Sequence, residues 1–385
     1  MKIEYGNIKS MDIAKNIWMK SFDDDESTVN FYFDNIFNEN NFLNLKLDGE
    51  VISSLHENKY IVTFNNQTFE TFYIVGVATD ITKRKKGYMS KLLNFSITNS
   101  YKKNLPFIFL SAIDSSIYRK FGFEYFSSIE TYSLDISQLN ELDENKNLTF
   151  KEIELNSLDN FLEDLINVYD SCMKDMFINL KRDKFYFKKL LMECFNDKMR
   201  ILVSYENGKM NGYIIYGINS KTIEVREVFA INTSIKSSLI KLLLTHKDYC
   251  NHVIINSVIS SNIDFLFKNQ VKIKKELSHF MMARLINVKK IFQILNVKEN
   301  IRICVVDNII PENNGIFDLS NENIQVANNN DYDIKINVED LTLLALGYMS
   351  VNELIQLKNI NISDAILNRL NKIFFKQNNY LYEFM

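Results

Sequence analysis

A basic turn at residues 83–87, with the sequence Lys-Arg-Lys-Lys-Gly, lies between a strand pattern at 72–79 and an amphipathic helix pattern at about 87–101. A helix start offers unpaired N–H groups and a partial positive charge, and both attract phosphate. Gly87 lets the backbone approach an anion closely, and the basic side chains add charge and hydrogen-bond donors. The pattern therefore predicts a pyrophosphate ligand.

The turn matches neither of two common phosphate-binding motifs. The sequence contains no Gly-x-x-x-x-Gly-Lys loop and no Gly-x-Gly-x-x-Gly run, which exclude a Walker loop and a dinucleotide fingerprint. What remains is the Arg-x-x-Gly pattern of coenzyme A binding, formed by Arg84 and Gly87. So short a match also fits a solvated basic helix start, but the flanking strand and helix favour a bound ligand.

The elements around the turn predict a mixed sheet with helices packed on it. Helix patterns cover 8–22 and 28–37, and strand patterns cover 42–47, 51–55, 60–64, 72–79 and 107–110. Asp48-Gly49 is a strong hairpin signal within this run. An antiparallel meander followed by a strand–helix–strand crossover is typical of an α/β (α+β) fold.

The segment 149–285 repeats this order of elements and predicts a duplicated domain. Aligning Val77 with Val228 places Ile235 opposite Arg84 and Ser238 opposite Gly87. The second copy thereby loses the charge and the glycine of the basic turn, so we expect it to bind no coenzyme A. Residues 296–385 differ: short strand patterns with Asn-rich turns are followed by three helices.

Composition narrows the class of protein. The 385 residues are 46% hydrophobic, which suits two or three domains of roughly 100–200 residues. A net charge of −3 gives no global field for nucleic acid or an anionic membrane. The four cysteines and four histidines show no ligand spacing, which predicts reduced thiols and no metal. With neither a signal peptide nor a membrane-length apolar run, we expect a soluble cytoplasmic protein.

Several stretches carry a family resemblance. The run from Val77 to Leu93 resembles the core motif of the GNAT acetyltransferases, and Ile-Tyr-Arg-Lys-Phe-Gly-Phe at 117–123 resembles an element of their enhanced intracellular survival (Eis) branch. Residues 282–288, 346–350 and 383–385 resemble later stretches of the same branch. The resemblance covers the whole chain, and the stretches at 77–93 and 117–123 are its specific part.

The resemblance implies two tandem GNAT domains, at 1–140 and 141–290, with a sterol-carrier-like domain at 291–385. It implies an acyltransferase that moves acetyl from acetyl-CoA to a primary amine, which we expect to belong to a small polycation such as an aminoglycoside. It also implies a homo-oligomer, for which the branch suggests a hexamer. Two alternatives stay open: an acetyltransferase for lysine or peptide amines, and a non-catalytic module that binds coenzyme A or a lipid.

The resemblance also assigns site residues by position. The backbone of Val77 and Thr79 would hold the acetyl and pantetheine groups. The pyrophosphate would be held by Arg84, Lys85, Gly87 and Tyr88. Tyr118 would protonate the leaving thiolate, and the terminal carboxylate on Met385 would be the general base. A tyrosine of pKa about 10 suits a thiolate, whereas a terminal carboxylate of pKa about 3.5 is a weak base unless burial raises it.

Two positions depart from the family pattern. The branch ends in an aromatic residue where this chain has Met385, although a carboxylate needs no particular side chain. Met89 stands where many GNAT proteins have a small residue. The acidic run at 23–26 either lines an approach for a polyamine or forms a solvated loop. Glu383 is the better candidate for attracting a cation. We expect Trp18 to be a core residue.

Overall fold

The computed structural model describes residues 1–7, 10–296, 298–320, 325–327 and 331–383. The chain divides into two compact units. Unit 1 holds Met1–Ser127, Phe177–Leu180 and Phe280–Met385, and unit 2 holds Ser128–Met176 and Lys181–His279. Among the described residues, no helix combines the length and the apolar character that a membrane crossing needs.

The elements are numbered in chain order. The strands are β1 (Lys2–Tyr5), β2 (Phe42–Leu47), β3 (Glu50–Phe64), β4 (Gln67–Thr79), β5 (Phe107–Ser111), β6 (Glu124–Asp135), β7 (Thr149–Glu152), β8 (Ile178–Leu180), β9 (Arg200–Glu206), β10 (Lys209–Asn219), β11 (Thr222–Ala230), β12 (His252–Ser257), β13 (Lys274–Leu285), β14 (Arg302–Val306), β15 (Gly315–Asp318), β16 (Gln325–Ala327), β17 (Ile334–Asn337) and β18 (Asn379–Tyr380). The helices are α1 (Met11–Ser21), α2 (Glu26–Asn35), α3 (Tyr88–Lys102), α4 (Ser115–Arg119), α5 (Leu162–Met173), α6 (Lys184–Asn196), α7 (Thr233–Leu242), α8 (Val288–Leu295), α9 (Val338–Ala345), α10 (Val351–Lys358) and α11 (Asp364–Ile373).

Unit 1 contains a mixed sheet in the order β1-β2-β3-β4-β5-β13. The strands from β1 to β4 form an antiparallel meander, β5 runs parallel to β4, and residues 281–285 of β13 pair antiparallel with β5. Short β8 pairs with the end of β3, and β18 near the chain terminus pairs with β8. The predicted mixed sheet is confirmed.

Helix α3 covers one face of this sheet. Its apolar positions Leu92, Leu93 and Ile97 are fully buried and form one core with alternate residues of β4 and β5, such as Phe72 and Ile108. Each fully buried aliphatic or aromatic side chain stabilises the fold by roughly 1.5–3 kcal/mol. This packing fixes the start of α3 beside the end of β4.

A smaller sheet in unit 1, in the order β16-β15-β14-β17, is followed by helices α9 to α11. It is tied to the main sheet by Arg284, whose Nη2 lies 2.6 Å from Asp307 Oδ1 and whose Nε donates to the Phe121 carbonyl at 2.6 Å. Both charged side chains are fully buried. Removing either partner of such a pair costs roughly 3–5 kcal/mol, so this pair fixes the two sheets together.

Unit 2 repeats the layout with a sheet in the order β6-β12-β11-β10-β9-β7. Antiparallel β9, β10 and β11 are followed by α7 and then by β12, which is parallel to β11. Helix α7 begins at Thr233, where Asn232 caps its first turn by accepting a hydrogen bond from the Ile235 N–H. The α+β class and the duplicated scheme are confirmed.

Candidate active site

The site begins where β4 and β5 separate. Their parallel ladder contains the single pair Tyr73 with Phe109, supported by a 2.6 Å hydrogen bond from Thr71 Oγ1 to the Phe107 carbonyl. Beyond this pair the two described strands form no further ladder. Separated strands leave backbone N–H and C=O groups facing the opening, and these can pair with an extended ligand.

Strand β4 has a bulge just before residues 77–79, which border this opening. Ser54 of β3 pairs with Ala78 and His56 pairs with Val75, so β4 has one extra residue between these pairs. Gly76, in the bulge, has a φ of +58°, and a Cβ there would lie 2.6 Å from the Trp18 ring. Only glycine fits both the left-handed backbone and the close indole. A bulge changes the direction of the residues that follow, here 77–79.

The basic turn follows at once and is held by local hydrogen bonds. Asp80 Oδ1 accepts from the Thr82 N–H at 2.8 Å and from the Thr82 hydroxyl at 2.6 Å. These bonds lower the pKa of the Asp80 carboxyl. Arg84 Nε donates to the Thr79 carbonyl at 3.2 Å, which folds the guanidinium back towards the end of β4. Lys85 takes a left-handed φ of +62°.

The start of α3 is uncapped by any side chain. Gly87 is its N-cap residue, with a φ of +77°. Apart from the adjoining backbone and the two neighbouring residues, no described atom lies within 4 Å of the place where its Cβ would be. The first-turn N–H groups have no partner within the helix. A helix start that is open, uncapped and flanked by cations suits an anionic group.

All six residues predicted to hold coenzyme A line one cavity of about 500 Å³. They are Val77, Thr79, Arg84, Lys85, Gly87 and Tyr88. The cavity is also lined by Ser21 and Phe22 at the end of α1 and by Ile117 and Lys120. We did not predict Ser21 or Lys120 from the sequence, although Lys120 belongs to the stretch 117–123 and its charge was a usable signal.

Tyr118 lies next to this cavity rather than on its lining. It belongs to α4, whose first turn is capped by Asp114 through a 2.9 Å bond from the Ser116 N–H. The half-buried phenol ring meets Phe123 edge-on, with centroids 6.1 Å apart. Burial raises the pKa of Tyr118 above its ordinary value, so the hydroxyl keeps its proton. Within the described residues, no hydrogen-bond partner of this hydroxyl is found.

The end of the chain lies beside β3. The Tyr60 hydroxyl donates to the buried carboxylate of Glu383, and the Tyr382 ring packs on Phe280 at 5.3 Å. The predicted base, on Met385, lies outside the described residues. Tyr60 in turn meets Tyr73 edge-on at 5.9 Å. The tail therefore approaches the pair Tyr73–Phe109, which forms the narrow end of the opening between β4 and β5.

An aromatic cluster lies between α1, α2 and β3. The His56 imidazole is buried and lies 2.7 Å from the Tyr32 hydroxyl, and burial lowers the pKa of His56 to about 3. Trp18 stacks on Tyr32 at 4.8 Å and donates from Nε1 to Asp24 at 2.8 Å. Trp18 is only 7% exposed, which agrees with the expected core role.

The corresponding connection in unit 2 is shorter and neutral. Only residues 231 and 232 join β11 to α7. Asn232 accepts from the Ile235 N–H at 3.0 Å, so a first-turn amide is already satisfied. Ile235 and Ser238 belong to α7, and both side chains are buried. Within the described residues of this connection, no basic turn and no glycine precede the helix.

Comparison with known proteins agrees with this geometry. Models of the acetyltransferase (GNAT) domain match residues 2–126 and 179–285, and the sterol carrier protein domain matches residues 288–382. No curated protein matches the sequence. Similar solved structures include a probable N-acyltransferase from Enterococcus faecalis (TM-score 0.84, 16% identity, 99% of each chain). Another is a GCN5-related N-acetyltransferase from Anabaena variabilis (TM-score 0.84, 16% identity, all of each chain).

The chain is therefore a GNAT-type N-acetyltransferase, an acyltransferase with two GNAT domains and a C-terminal sterol carrier domain. GNAT domains imply acetyl-CoA as co-substrate. Its fold is also similar, over the full length of both chains, to that of Eis1 from Mycobacterium abscessus, at a TM-score of 0.80 and 14% identity.

Proposed function

We propose that the first GNAT domain transfers acetyl from acetyl-CoA to a primary amine of a small polycationic acceptor, such as an aminoglycoside. One observation carries the proposal: the six residues predicted from the sequence line one cavity, at an uncapped helix start where two strands separate. Phosphates need the cations and amides at one end of this cavity. An extended thioester arm needs hydrogen-bond partners, and the part of β4 that is not paired with β5 offers them.

The residues around the cavity suit the steps of amide formation. The neutral amine attacks the thioester carbonyl, and the carbon–sulfur bond breaks as the amide forms. Backbone N–H groups near Val77 and Thr79 would stabilise the oxyanion. Tyr118 would donate its proton to the departing thiolate, and it suits that role because burial keeps it protonated. The proton lost by the amine would pass to water or to the terminal carboxylate of Met385.

A polycationic acceptor is supported by carboxylates around the site. Asp24 is held by Trp18, next to Phe22 on the cavity wall. Glu383 lies on the tail that approaches the narrow end of the opening. Carboxylates near a binding site attract cationic ligands and raise their local concentration. A lysine-containing peptide also presents a cationic amine and is the second candidate acceptor.

The test is a coupled thiol-release assay of the purified protein with aminoglycosides, polyamines and lysine peptides. We expect release with at least one small polycation and a lower kcat/KM with peptides. Preference for a peptide would favour the lysine alternative. Coenzyme A binding without release for any amine would contradict the proposal and favour a non-catalytic module.

The terminal carboxylate has its own test. Adding one glycine after Met385 moves the carboxylate by one residue and should lower kcat, whereas one glycine added before Lys2 is the matched control. Unchanged turnover after the C-terminal addition would remove this carboxylate from the mechanism.

The homo-oligomer and the domain boundaries at 140 and 290 also stay predictions from the resemblance. Sedimentation velocity tests the oligomer, and limited proteolysis tests the boundaries.

A further inference from the structure

Four aromatic rings close the narrow end of the opening between β4 and β5. The paired residues Tyr73 and Phe109 stack face to face, with centroids 4.9 Å apart and planes inclined by 3°. Tyr60 meets both rings edge-on, at 5.9 and 6.1 Å, and Phe126 approaches Phe109 at 6.3 Å. The most exposed of the four, Tyr60, is only 7% exposed. The narrow end is therefore densely packed.

The four rings lie on the sheet face away from α3. Residues directly opposite in a ladder share a face, and Tyr73 is opposite both Asn58 of β3 and Phe109 of β5. The intervening residues Phe72 and Ile108 point into the core under α3. Both faces of the sheet are thus filled at the point where the strands meet.

The direction of a bound donor follows from its charged end. Phosphates bound at the start of α3 would lie near Thr79, at the wide end of the opening. An arm that extends along β4 from there runs towards Tyr73. The acyl carbon farthest from the sulfur would therefore point at the stacked rings, and every added methylene would bring it closer to them.

We propose that Tyr73 and Phe109 limit the acyl donor to short chains, so that acetyl and propionyl are used and butyryl or longer groups are rejected. Because cores are close-packed, inserted methylenes force neighbouring atoms to move. One methylene in an apolar pocket typically changes kcat/KM by roughly 10–200-fold. The inference rests on the proposed function, since it assumes a coenzyme A thioester in this opening.

The test measures kcat/KM and competitive binding for acetyl-, propionyl-, butyryl- and hexanoyl-CoA with a single amine. For the wild type we expect butyryl-CoA to be at least about 100-fold poorer than acetyl-CoA. Phe109→Leu should raise the butyryl-to-acetyl ratio of kcat/KM at least about tenfold. Tyr73→Leu removes the other stacked ring and should shift the ratio in the same direction.

Phe107→Leu is the matched control. Phe107 lies two residues earlier in β5, is fully buried like Phe109, and also contacts Phe126. It lies in the part of β5 that is still bonded to β4, so its loss should reduce stability without changing the acyl ratio.

Equal use of acetyl- and butyryl-CoA by the wild type overturns this inference alone. An unchanged ratio in both folded variants, or the same change in Phe107→Leu, also overturns it. Absence of binding for every donor overturns the proposed function as well, so the two failures are distinguishable.

Discussion

The two strand-to-helix connections, 80–87 in unit 1 and 231–232 in unit 2, satisfy their helix starts in different ways. Asn232 supplies a side-chain acceptor to the Ile235 amide, whereas Gly87 supplies none. The first connection carries cations and borders a cavity; the second is short and leads into a buried helix turn. A duplicated domain can keep its fold while only the copy with an unsatisfied helix start can hold an anion.

The strands before these connections, β4 and β11, also share a feature but differ in the residue that carries it. Both have a bulge, at Gly76 in β4 and at Arg226 in β11. Gly76 admits the Trp18 ring, whereas Arg226 is buried and donates to Glu193 at 2.9 Å. Both units therefore share the bulge, but it admits an indole ring in β4 and carries a buried ion-paired arginine in β11.

The sharpest way to break this comparison is to remove the proposed acid. Tyr118→Phe keeps the ring against Phe123 and deletes only the hydroxyl, so kcat should fall roughly 100- to 10,000-fold, as for loss of a general acid. The Kd for acetyl-CoA, measured by calorimetry, should change little. Tyr125→Phe, a half-buried tyrosine that packs on the same core, serves as the control. An unchanged kcat would exclude Tyr118 as the acid.

The charged turn should show the next largest effect. Arg84→Ala combined with Lys85→Ala would remove the proposed charge-assisted contacts to phosphate, each worth about 1.5–3 kcal/mol. The KM for acetyl-CoA should rise by at least about tenfold and become less sensitive to salt. Lys236→Ala, at the position aligned with Lys85, should leave this KM unchanged. A similar rise in both proteins would contradict a single site.

The pH profile follows from the raised pKa of Tyr118. Burial disfavours the phenolate, so the acid form persists to a higher pH than in free tyrosine, whose pKa is about 10. The acceptor amine must lose a proton to react, so kcat/KM should rise about tenfold per pH unit below the pKa of that amine. A fall in kcat centred below pH 9 would contradict Tyr118 as the acid.

The smallest effects are expected from substitutions at the two helix starts themselves. Asn232→Ala removes a cap and Gly87→Ala forces a left-handed alanine, so each should lower the free energy of unfolding by about 1 kcal/mol. Denaturant titration measures both. Only Gly87→Ala should also raise the KM for acetyl-CoA, since its methyl group lies at the proposed phosphate site. A raised KM in Asn232→Ala would place a second site in unit 2.

The sequence identified the turn and the order of elements because local patterns encode them. Gly87 marks a helix start, and its neighbours have the charge that the ligand needs. The glycine at position 76 was also a usable signal, since an isolated glycine in a strand pattern suggests a bulge. The structure adds the close approach of Trp18, which no local pattern shows.

Other features depended on partners distant in the sequence. The strands predicted separately at 51–55 and 60–64 are parts of one continuous strand, β3. The buried Glu57 there is satisfied by Tyr5, 2.8 Å away, and by Ser96, 2.7 Å away. Short β8 and β18 were missed because two or three residues carry no periodic pattern. The stack of Tyr73 on Phe109 likewise joins β4 and β5, which are separated in the sequence by the whole of α3.

The most direct test of a single acetyl-CoA site is the binding stoichiometry of the intact chain. Isothermal titration of the wild type with acetyl-CoA should give one molecule per chain, and the Arg84→Ala, Lys85→Ala protein should lose most of that affinity. Two molecules per chain, or affinity that persists in the double variant and falls in Lys236→Ala, would contradict the account.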